Sequence, residues 1–453
     1  MDMTRNLSAP GWVSRFLKHA RRDDGAVAVQ FAMMLVPMMV MVFGAVDVSR
    51  ASGEKMRLQD ALDAAALAAA RSTATTDADL KIVGDKVLSA DLAASKAVLT
   101  SSTYHLNGTK IVATARATLS TSVSNLWMEG DMTIGATSEV TRSSNNIEVA
   151  LALDVTGSMA GTRITDLKSA AKDLVDLVVQ DQQTPYYTKV ALAPYSAAVN
   201  VGTYAASVRG AVGAGTCTTP GCASFKFTNA SGSLKTFAVS TCVTERTGTG
   251  AYTDASPASA YLGLNYPSTS NPCLSSTIMP LSTDRAALKT RIDGLSAAGS
   301  TAGHLGLAWG WYMVSPNFAS LWPTASQPAA YGTDKLIKVV VLMTDGAFNT
   351  TYCKGVISQD SGSGSGSASD HINCNAPNGG AFSQAQALCN NMKAAGVIVY
   401  TVGFDVGSDA SAKAIVQECA TDAEHVYLPS TGAALKDAFH AIGEDISRLR
   451  ISR

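Results

Sequence analysis

The sequence predicts an α/β domain over residues 147–450, built on a doubly wound, mainly parallel sheet with helices on both faces and two insertions. Two observations predict this fold class. Short, almost wholly apolar runs such as Val149–Leu153 are typical of strands that are buried on both faces of a parallel sheet. These runs alternate along the chain with stretches of helical spacing, and that order is characteristic of a parallel α/β fold.

The elements of this domain can be placed from the pattern of apolar residues. We predict strands at 149–153, 189–195, 338–344, 397–402 and 425–428, and helices near 164–178, 284–295, 302–312, 382–394, 410–418 and 433–449. Residues 203–280 and 350–380 are too long for plain loops in a compact domain, so they are predicted to be insertions. The second insertion contains Ser361–Ser367, an alternating Ser and Gly segment typical of a flexible linker.

Oxygen-bearing side chains follow the ends of two predicted strands and begin a predicted helix. Asp154, Thr156 and Ser158 end the first strand, Thr301 precedes a helix, and Asp345 ends the third strand. Open α/β sheets place their ligand sites at the carboxyl ends of their strands. Carboxylate and hydroxyl oxygens suit Mg²⁺, Mn²⁺ or Ca²⁺ rather than zinc or copper. Taken alone, the first three residues could equally be a polar turn that caps the next helix.

This set of residues resembles the metal-ion-dependent adhesion site of the von Willebrand factor A family. That family's motif is Asp-x-Ser-x-Ser, with a Thr on a second loop and an Asp on a third; here Thr156 stands in the first Ser position and keeps the hydroxyl. The resemblance implies a von Willebrand factor A-like fold and a divalent metal, Mg²⁺ or alternatively Mn²⁺ or Ca²⁺. It also implies binding of a protein partner through an acidic side chain, with neither catalysis nor a small-molecule substrate.

Two alternative functions are open at this point. Residues 154–158 also resemble the nucleophile loop of haloacid-dehalogenase-type phosphotransferases, in which Asp154 would accept a phosphoryl group near Mg²⁺. That chemistry needs a second acidic residue after Asp345, and the sequence Asp345-Gly-Ala-Phe-Asn lacks it. The other alternative is a structural scaffold with a non-functional metal site.

The predicted helix after Thr301 places three large residues, Leu305, Trp309 and Tyr312, on one face, which indicates core packing. Trp311 points elsewhere and is predicted to line the ligand face. His304 is predicted to be solvated or to cap the helix.

The amino-terminal region has the pattern of a membrane anchor. Residues 1–24 form a basic tail, and residues 25–46 contain no charged side chain. As a helix, this apolar stretch would be about 33 Å long, enough for a bilayer core. By the positive-inside rule the N-terminus is cytoplasmic, the chain crosses the inner membrane once, and the main domain is periplasmic or extracellular.

Residues 25–72 resemble the amino-terminal module of TadE/TadG-like proteins of the tight-adherence (Flp) pilus assembly system. The features that carry this resemblance are the apolar span, Pro37, and the Ala-rich run 59–71. The resemblance implies a pilus-assembly or adhesion protein, whose partners belong to a pilus or secretion assembly. Gly25 followed by Gln30 also resembles a prepilin start, but Gln replaces the usual Glu, so we expect an uncleaved anchor.

The run of small residues from Ala64 to Ala70 allows two interpretations, a contact with a partner helix or an ordinary solvated helix. Residues 73–146 are predicted to be a small α+β module and linker, with a hairpin turn at Asn107-Gly108.

Charge and cysteine content indicate which ligands and which compartment suit the protein. The formal net charge of −1 provides no overall basic face for nucleic acid. All eight cysteines follow the apolar span, which indicates disulfides in an oxidising compartment. We expect Cys389–Cys419 and Cys353–Cys374 pairs, with the other four cysteines, Cys217, Cys222, Cys242 and Cys273, joining parts of the first insertion.

Overall fold

The computed structural model describes residues 23–72, 74, 76–121, 130–142, 144–210, 223–228, 234–246, 248–352 and 376–451. The chain divides into two compact units, with the boundary after Arg142.

The first unit combines one long helix with a small α+β module. Its elements are α1 (Asp23–Arg71), α2 (Asp77–Asp91), β1 (Val98–Asn107), β2 (Lys110–Leu119) and β3 (Met132–Thr141). The strands form an antiparallel sheet in the order β1-β2-β3. The predicted hairpin turn is confirmed: Asn107 pairs with Lys110, and Gly108 adopts a positive φ of 61°.

The two halves of α1 have different surroundings. Large apolar side chains from Val27 to Val48 are exposed, and α1 contains one stretch long and apolar enough to cross a membrane. From Ala51 onward the helix buries small residues, including Ala65 and Ala69, against the three-stranded sheet and α2. Alanine allows this close approach because it has no side chain beyond Cβ. The small-residue face is therefore covered by other parts of its own unit. The sequence instead predicts that a partner helix or solvent covers it.

The second unit is a mixed α/β domain. Its elements are β4 (Asn146–Asp154), α3 (Thr162–Val178), β5 (Thr188–Tyr195), β6 (Val199–Asn200), α4 (Ala205–Arg209), β7 (Ser224–Thr228), β8 (Leu234–Ala238), β9 (Cys242–Thr244), β10 (Gly263–Leu264), β11 (Met279–Ser282), α5 (Arg285–Asp293), α6 (Gly303–Val314), β12 (Leu336–Thr344), α7 (Ala381–Ala394), β13 (Ile398–Gly403), α8 (Ala410–Cys419), β14 (Val426–Tyr427) and α9 (Gly432–Ile451).

A six-stranded sheet organises this unit. The strand order is β11-β5-β4-β12-β13-β14, and all neighbours are parallel except β11, which runs antiparallel to β5. Side chains alternate between two cores: Ala150 and Ala152 of β4 pack on one face, and Val149 and Leu151 on the other. Helices α6, α7 and α8 contribute to the first core, and α3, α5 and α9 contribute to the second.

Helix α6 is buried along its whole length and approaches the sheet through glycines. A Cβ added at Gly306 would lie 2.2 Å from the Tyr195 ring, and one added at Gly310 would lie 2.9 Å from Val340. Larger residues at these positions would force the helix away from the sheet.

The first insertion carries short strands of its own, as predicted. β7 and β8 form a hairpin, and β9 and β10 form a small antiparallel sheet with β6, which precedes the insertion. Of the predicted disulfides, Cys389–Cys419 is confirmed and joins α7 to α8, while Cys242–Cys273 lies in the first insertion. Cys217, Cys222 and the predicted Cys353–Cys374 pair lie outside the described residues.

Candidate functional site

The candidate site lies at the carboxyl ends of two adjacent strands. β4 and β12 are parallel neighbours in the middle of the sheet, with Leu153 paired to Met343. Both strands are buried and apolar in their second halves, from Val149 to Leu153 in β4 and from Val339 to Met343 in β12. Each then ends in a polar residue, Asp154 in β4 and Thr344 in β12, and Asp345 follows Thr344. The register therefore brings the two predicted carboxylates to the same edge of the sheet.

Asp154 is fully buried, and three donor groups lie within hydrogen-bond distance of its carboxylate. The Thr156 backbone N–H donates to Oδ1 at 2.9 Å. The Thr344 hydroxyl donates to Oδ2 at 3.0 Å, and the Tyr195 hydroxyl approaches the same oxygen at 3.3 Å. Thr344 and Tyr195 were not among the predicted site residues, and they hold the Asp154 carboxylate in one orientation.

The hydroxyls of the first loop connect to the third predicted segment. The Thr156 and Ser158 side-chain oxygens lie 3.0 Å apart, and the Ser158 hydroxyl donates to Asp345 Oδ1 at 2.7 Å. Thr156 is buried, whereas Ser158 is exposed. Four of the five predicted residues thus belong to one hydrogen-bonded network that opens to solvent at Ser158.

Thr301 comes from a loop that is docked against the first one. The Gly157 N–H donates to the Gly299 carbonyl at 2.9 Å, and the Ala298 N–H donates to the Val155 carbonyl at 3.0 Å. The Thr301 carbonyl accepts the Asn349 N–H at 2.9 Å, just beyond Asp345. Backbone hydrogen bonds therefore link the Thr301 loop to both of the loops that supply the other four residues.

The electrostatics of the network are unfavourable for two ionised carboxylates. Burial, followed by the nearby Asp345 charge, raises the pKa of Asp154 from 3.8 to about 6. Hydrogen bonds from Thr156 and Thr344 act the opposite way. The Asp345 side chain has no exposed surface. Negative charge is thus concentrated at this edge of the sheet.

One cation, missed by the sequence analysis, contacts the network. Arg163, in the first turn of α3, donates to Asp345 Oδ2 at 3.0 Å and to Asp405 Oδ2 at 2.6 Å. Its guanidinium also lies 5.8 Å from the centre of the Phe404 ring. The sequence offered one indication of this role, because Arg163 lies only five residues after Ser158. Its second partner, Asp405, follows β13 much later in the chain, and no sequence pattern connects Arg163 with Asp405.

The donor set fits a hard divalent cation. Carboxylate and hydroxyl oxygens of Asp154, Thr156, Ser158 and Asp345 converge, and this is the ligand chemistry of Mg²⁺, Mn²⁺ and Ca²⁺. Over the described residues no group of three or more His, Cys, Asp or Glu side chains is placed to hold a metal. A cation here would consequently depend on hydroxyls as well as carboxylates.

Two side chains near the site differ from their predictions. His304 is buried instead of solvated, and its Nε2 lies 2.5 Å from Oε2 of Glu245 in the first insertion. Trp311 is also buried instead of lining the ligand face, and its indole N–H donates to the Tyr331 hydroxyl at 2.8 Å. Both predictions failed because all of α6 is enclosed, so the helix has no ligand face.

Residues 25–72 match the family model of Flp pilus-assembly TadE/G-like proteins. The match covers most of α1, and the second unit lies outside it. No curated protein shows a significant match to the chain.

Several solved structures resemble parts of the chain. The vWF domain of a type V pili tip protein from Porphyromonas gingivalis has 14% identity and a TM-score of 0.38, covering 68% of this chain and 97% of that one. The adhesive tip pilin of group B Streptococcus agalactiae has 12% identity and a TM-score of 0.37, covering 66% and 99%. The pilus adhesin SpaC from Lactobacillus rhamnosus GG has 12% identity and a TM-score of 0.35, covering 76% of this chain and 33% of that one.

Proposed function

We propose that this chain is a membrane-anchored, exported protein of the pilus-assembly and adhesion type. In this proposal the second unit is a von Willebrand factor A-like domain that binds a protein partner through a divalent cation, with Mg²⁺ the first choice. Asp154, Thr156, Ser158, Thr301 and Asp345 are the proposed ligands, directly or through water. The partner would be a component of a pilus or secretion assembly and would supply an acidic side chain to the cation.

The observation that carries the proposal is the Ser158–Asp345 hydrogen bond of 2.7 Å. These residues are 187 positions apart in the chain, yet their oxygens meet beside Asp154 at the carboxyl edge of the sheet. A polar turn that only caps α3 would not need Asp345. The network instead has the residue types and the location of a ligand site in an open α/β sheet.

The exposure of the site supports binding of a large partner. Ser158 is exposed while Asp154 and Thr156 are buried, so a cation held among them would be reached from the Ser158 side. Protein carboxylates are good ligands for Mg²⁺ and Mn²⁺. An acidic side chain of a partner could therefore complete the coordination without entering the domain.

The proposed anchor and location rest on the first unit. The exposed apolar half of α1 is long enough to span a bilayer, and residues 25–72 match a pilus-assembly family model. The basic residues that precede the span favour a cytoplasmic N-terminus. The two described disulfides then lie in the exported part, as expected for an oxidising compartment.

The phosphotransferase alternative receives less support from the geometry. An attacking Asp154 carboxylate would have to reach a substrate phosphoryl group, but this side chain is completely buried and each of its oxygens accepts a hydrogen bond. Its arrangement suits a fixed acceptor better than a nucleophile.

The proposal is tested by measuring Mg²⁺ and Mn²⁺ binding to the full chain in nanodiscs by isothermal titration calorimetry. We expect saturable binding that Asp154→Ala abolishes. The matched control is Asp293→Ala, which removes an exposed carboxylate that pairs with Lys172. Equal binding by the wild type and Asp154→Ala would refute the proposed metal site. Partner capture from envelope extracts, with and without a chelator, then tests whether adhesion needs the metal.

A further inference from the structure

A cavity of about 300 Å³ lies in the first unit, close to the end of the apolar span. Its wall consists of Arg50, Gly53, Glu54, Arg57, Lys96 and Leu119. The first four residues of this set are spaced as i, i+3, i+4 and i+7, so they form one face of α1. Lys96 and Leu119 belong to the α+β module and close the opposite side.

The position of this cavity along α1 places it beside the membrane surface. Exposed apolar side chains continue to Val48, and burial against the module begins at Ala51. Counted from Val46 at 1.5 Å per residue, Arg50 lies about 6 Å and Arg57 about 16 Å beyond the apolar span. The headgroup layer of one leaflet is about 5–8 Å thick. The cavity therefore begins at headgroup depth and extends into the aqueous phase.

The charges of the wall favour an anion. Three cations, Arg50, Arg57 and Lys96, line the cavity together with one carboxylate, Glu54. Arg50 also pairs with Asp47 at 3.7 Å, so the wall and this neighbour together hold three cations and two carboxylates, an excess of one positive charge. The excess of positive charge and the two guanidinium groups suit a phosphate, because a guanidinium can donate two parallel hydrogen bonds to its oxygens.

Glu54 organises the wall and leaves Arg57 accessible. Its carboxylate, only 11% exposed, accepts from Arg57 Nη1 at 3.1 Å and from the Ser95 hydroxyl at 2.7 Å. These contacts connect α1 to the segment that carries Lys96. The Arg57 side chain is nevertheless 64% exposed, so much of its guanidinium can still meet a ligand.

Gly53 keeps the cavity open. A Cβ added at this position would have no other heavy atom within 4 Å. A side chain at residue 53 would consequently extend into free space on the cavity face without displacing its neighbours. Leu119 gives the wall one apolar surface, which suits the glycerol portion of a lipid.

We propose that this cavity binds the phosphate headgroup of an anionic phospholipid from the adjoining leaflet. The role rests on the membrane anchor proposed for α1, but it goes beyond the metal-dependent binding proposed for the second unit and uses none of that unit's residues. The bound headgroup would fix the depth of α1 in the bilayer and the position of the α+β module at the membrane surface.

The experiment compares full-length protein in nanodiscs of phosphatidylcholine alone with nanodiscs that contain phosphatidylglycerol, using native mass spectrometry to count retained lipids. We expect selective retention of phosphatidylglycerol by the wild type. The double substitution Arg57→Glu with Lys96→Glu should lower that selectivity by about tenfold, given the cost of losing basic residues near an anionic surface. Gly53→Leu should lower it by filling the cavity without changing the charge.

Lys55→Glu is the matched control, because Lys55 is exposed on the same helix and lies outside the cavity wall. An equal loss of selectivity in Lys55→Glu would overturn the site in favour of diffuse surface charge. A second arm adds inorganic phosphate to phosphatidylcholine nanodiscs. If inorganic phosphate occupies the cavity as well as phosphatidylglycerol does, and displaces no lipid, the cavity is a site for free anions and the lipid proposal fails. Mg²⁺ binding by the second unit should be the same in every variant.

Discussion

The two ends of the same strand pair, β4 and β12, carry buried charge in opposite ways. At the amino end, Glu148 pairs in register with Lys338, and the Lys338 ammonium lies 2.5 Å from the carboxylate. Glu148 also accepts the Ala329 N–H at 2.9 Å, and Lys338 donates to the Val314 carbonyl at 2.8 Å. The charges cancel, and both groups have protein partners.

At the carboxyl end, Asp154 and Asp345 carry charge of the same sign. Asp154 contacts hydroxyls and a backbone N–H group, and Asp345 contacts the Ser158 hydroxyl and Arg163, which is partly exposed and shared with Asp405. The comparison teaches that burial of charge alone does not identify a ligand site. Glu148 and Lys338 neutralise each other, whereas Asp154 and Asp345 carry charge of the same sign, which the proposed cation would offset.

The largest predicted effect is the loss of stability when the ion pair of Glu148 and Lys338 is broken. Lys338→Met leaves the Glu148 carboxylate buried beside an apolar side chain, and we expect a loss of about 3–5 kcal/mol in the free energy of unfolding. Chemical denaturation measures this loss. The double variant Glu148→Gln with Lys338→Met should recover much of it; a single variant as stable as the wild type would show that the pair contributes little.

The next prediction concerns Mg²⁺ binding at the carboxyl end of the strand pair, where Asp154 and Asp345 lie. Mg²⁺ at about 100 times its dissociation constant should stabilise the wild type by about 2.7 kcal/mol, because only the folded state contains the site. A thermal-shift series with Mg²⁺ and with a chelator measures the gain. Asp345→Ala should show no difference between the two conditions, and Asp293→Ala should respond as the wild type does.

A third prediction removes the like charge without changing shape. In the presence of chelator, Asp154→Asn should raise the free energy of unfolding by about 1–2 kcal/mol, because it eliminates a buried charge near Asp345. The new amide can still accept from the Thr156 N–H, and its NH₂ can donate to the Thr344 oxygen. A destabilised variant under these conditions would show that the carboxylate itself supports the fold. With Mg²⁺ the order of stability should reverse.

The smallest predicted effect concerns the competing cation. Arg163 lies 3.0 Å from Asp345, so Arg163→Ala should increase Mg²⁺ affinity by about three- to tenfold through loss of a nearby positive charge. Calorimetry measures the change, with Lys172→Ala, on the same helix and paired with Asp293, as the control. A lower affinity in Arg163→Ala would mean that the guanidinium chiefly positions the carboxylate.

Local patterns were enough to predict the strand ends but not the partners of the buried charges. Asp154 could be found because it directly follows an apolar run, and Asp345 because it follows a second such run after Thr344. The alternation of elements indicated that these two runs meet in a sheet. The pairing of His304 with Glu245 could not be foreseen, since Glu245 lies 59 residues away in an insertion. Arg163 and Asp405 are 242 residues apart, and their contact depends on where α3 and the end of β13 meet.

The two described disulfides have a consequence for biogenesis. They join cysteines 31 and 30 positions apart, and closing loops of that length stabilises a folded chain by about 3–4 kcal/mol each. Before oxidation the second unit lacks both contributions. On the proposed topology, the polypeptide thus reaches the translocation machinery without disulfides, and it forms them only after it has crossed the membrane. Export is then effectively one-way, because the disulfide-bonded unit is harder to unfold and so cannot readily pass back through the translocation machinery.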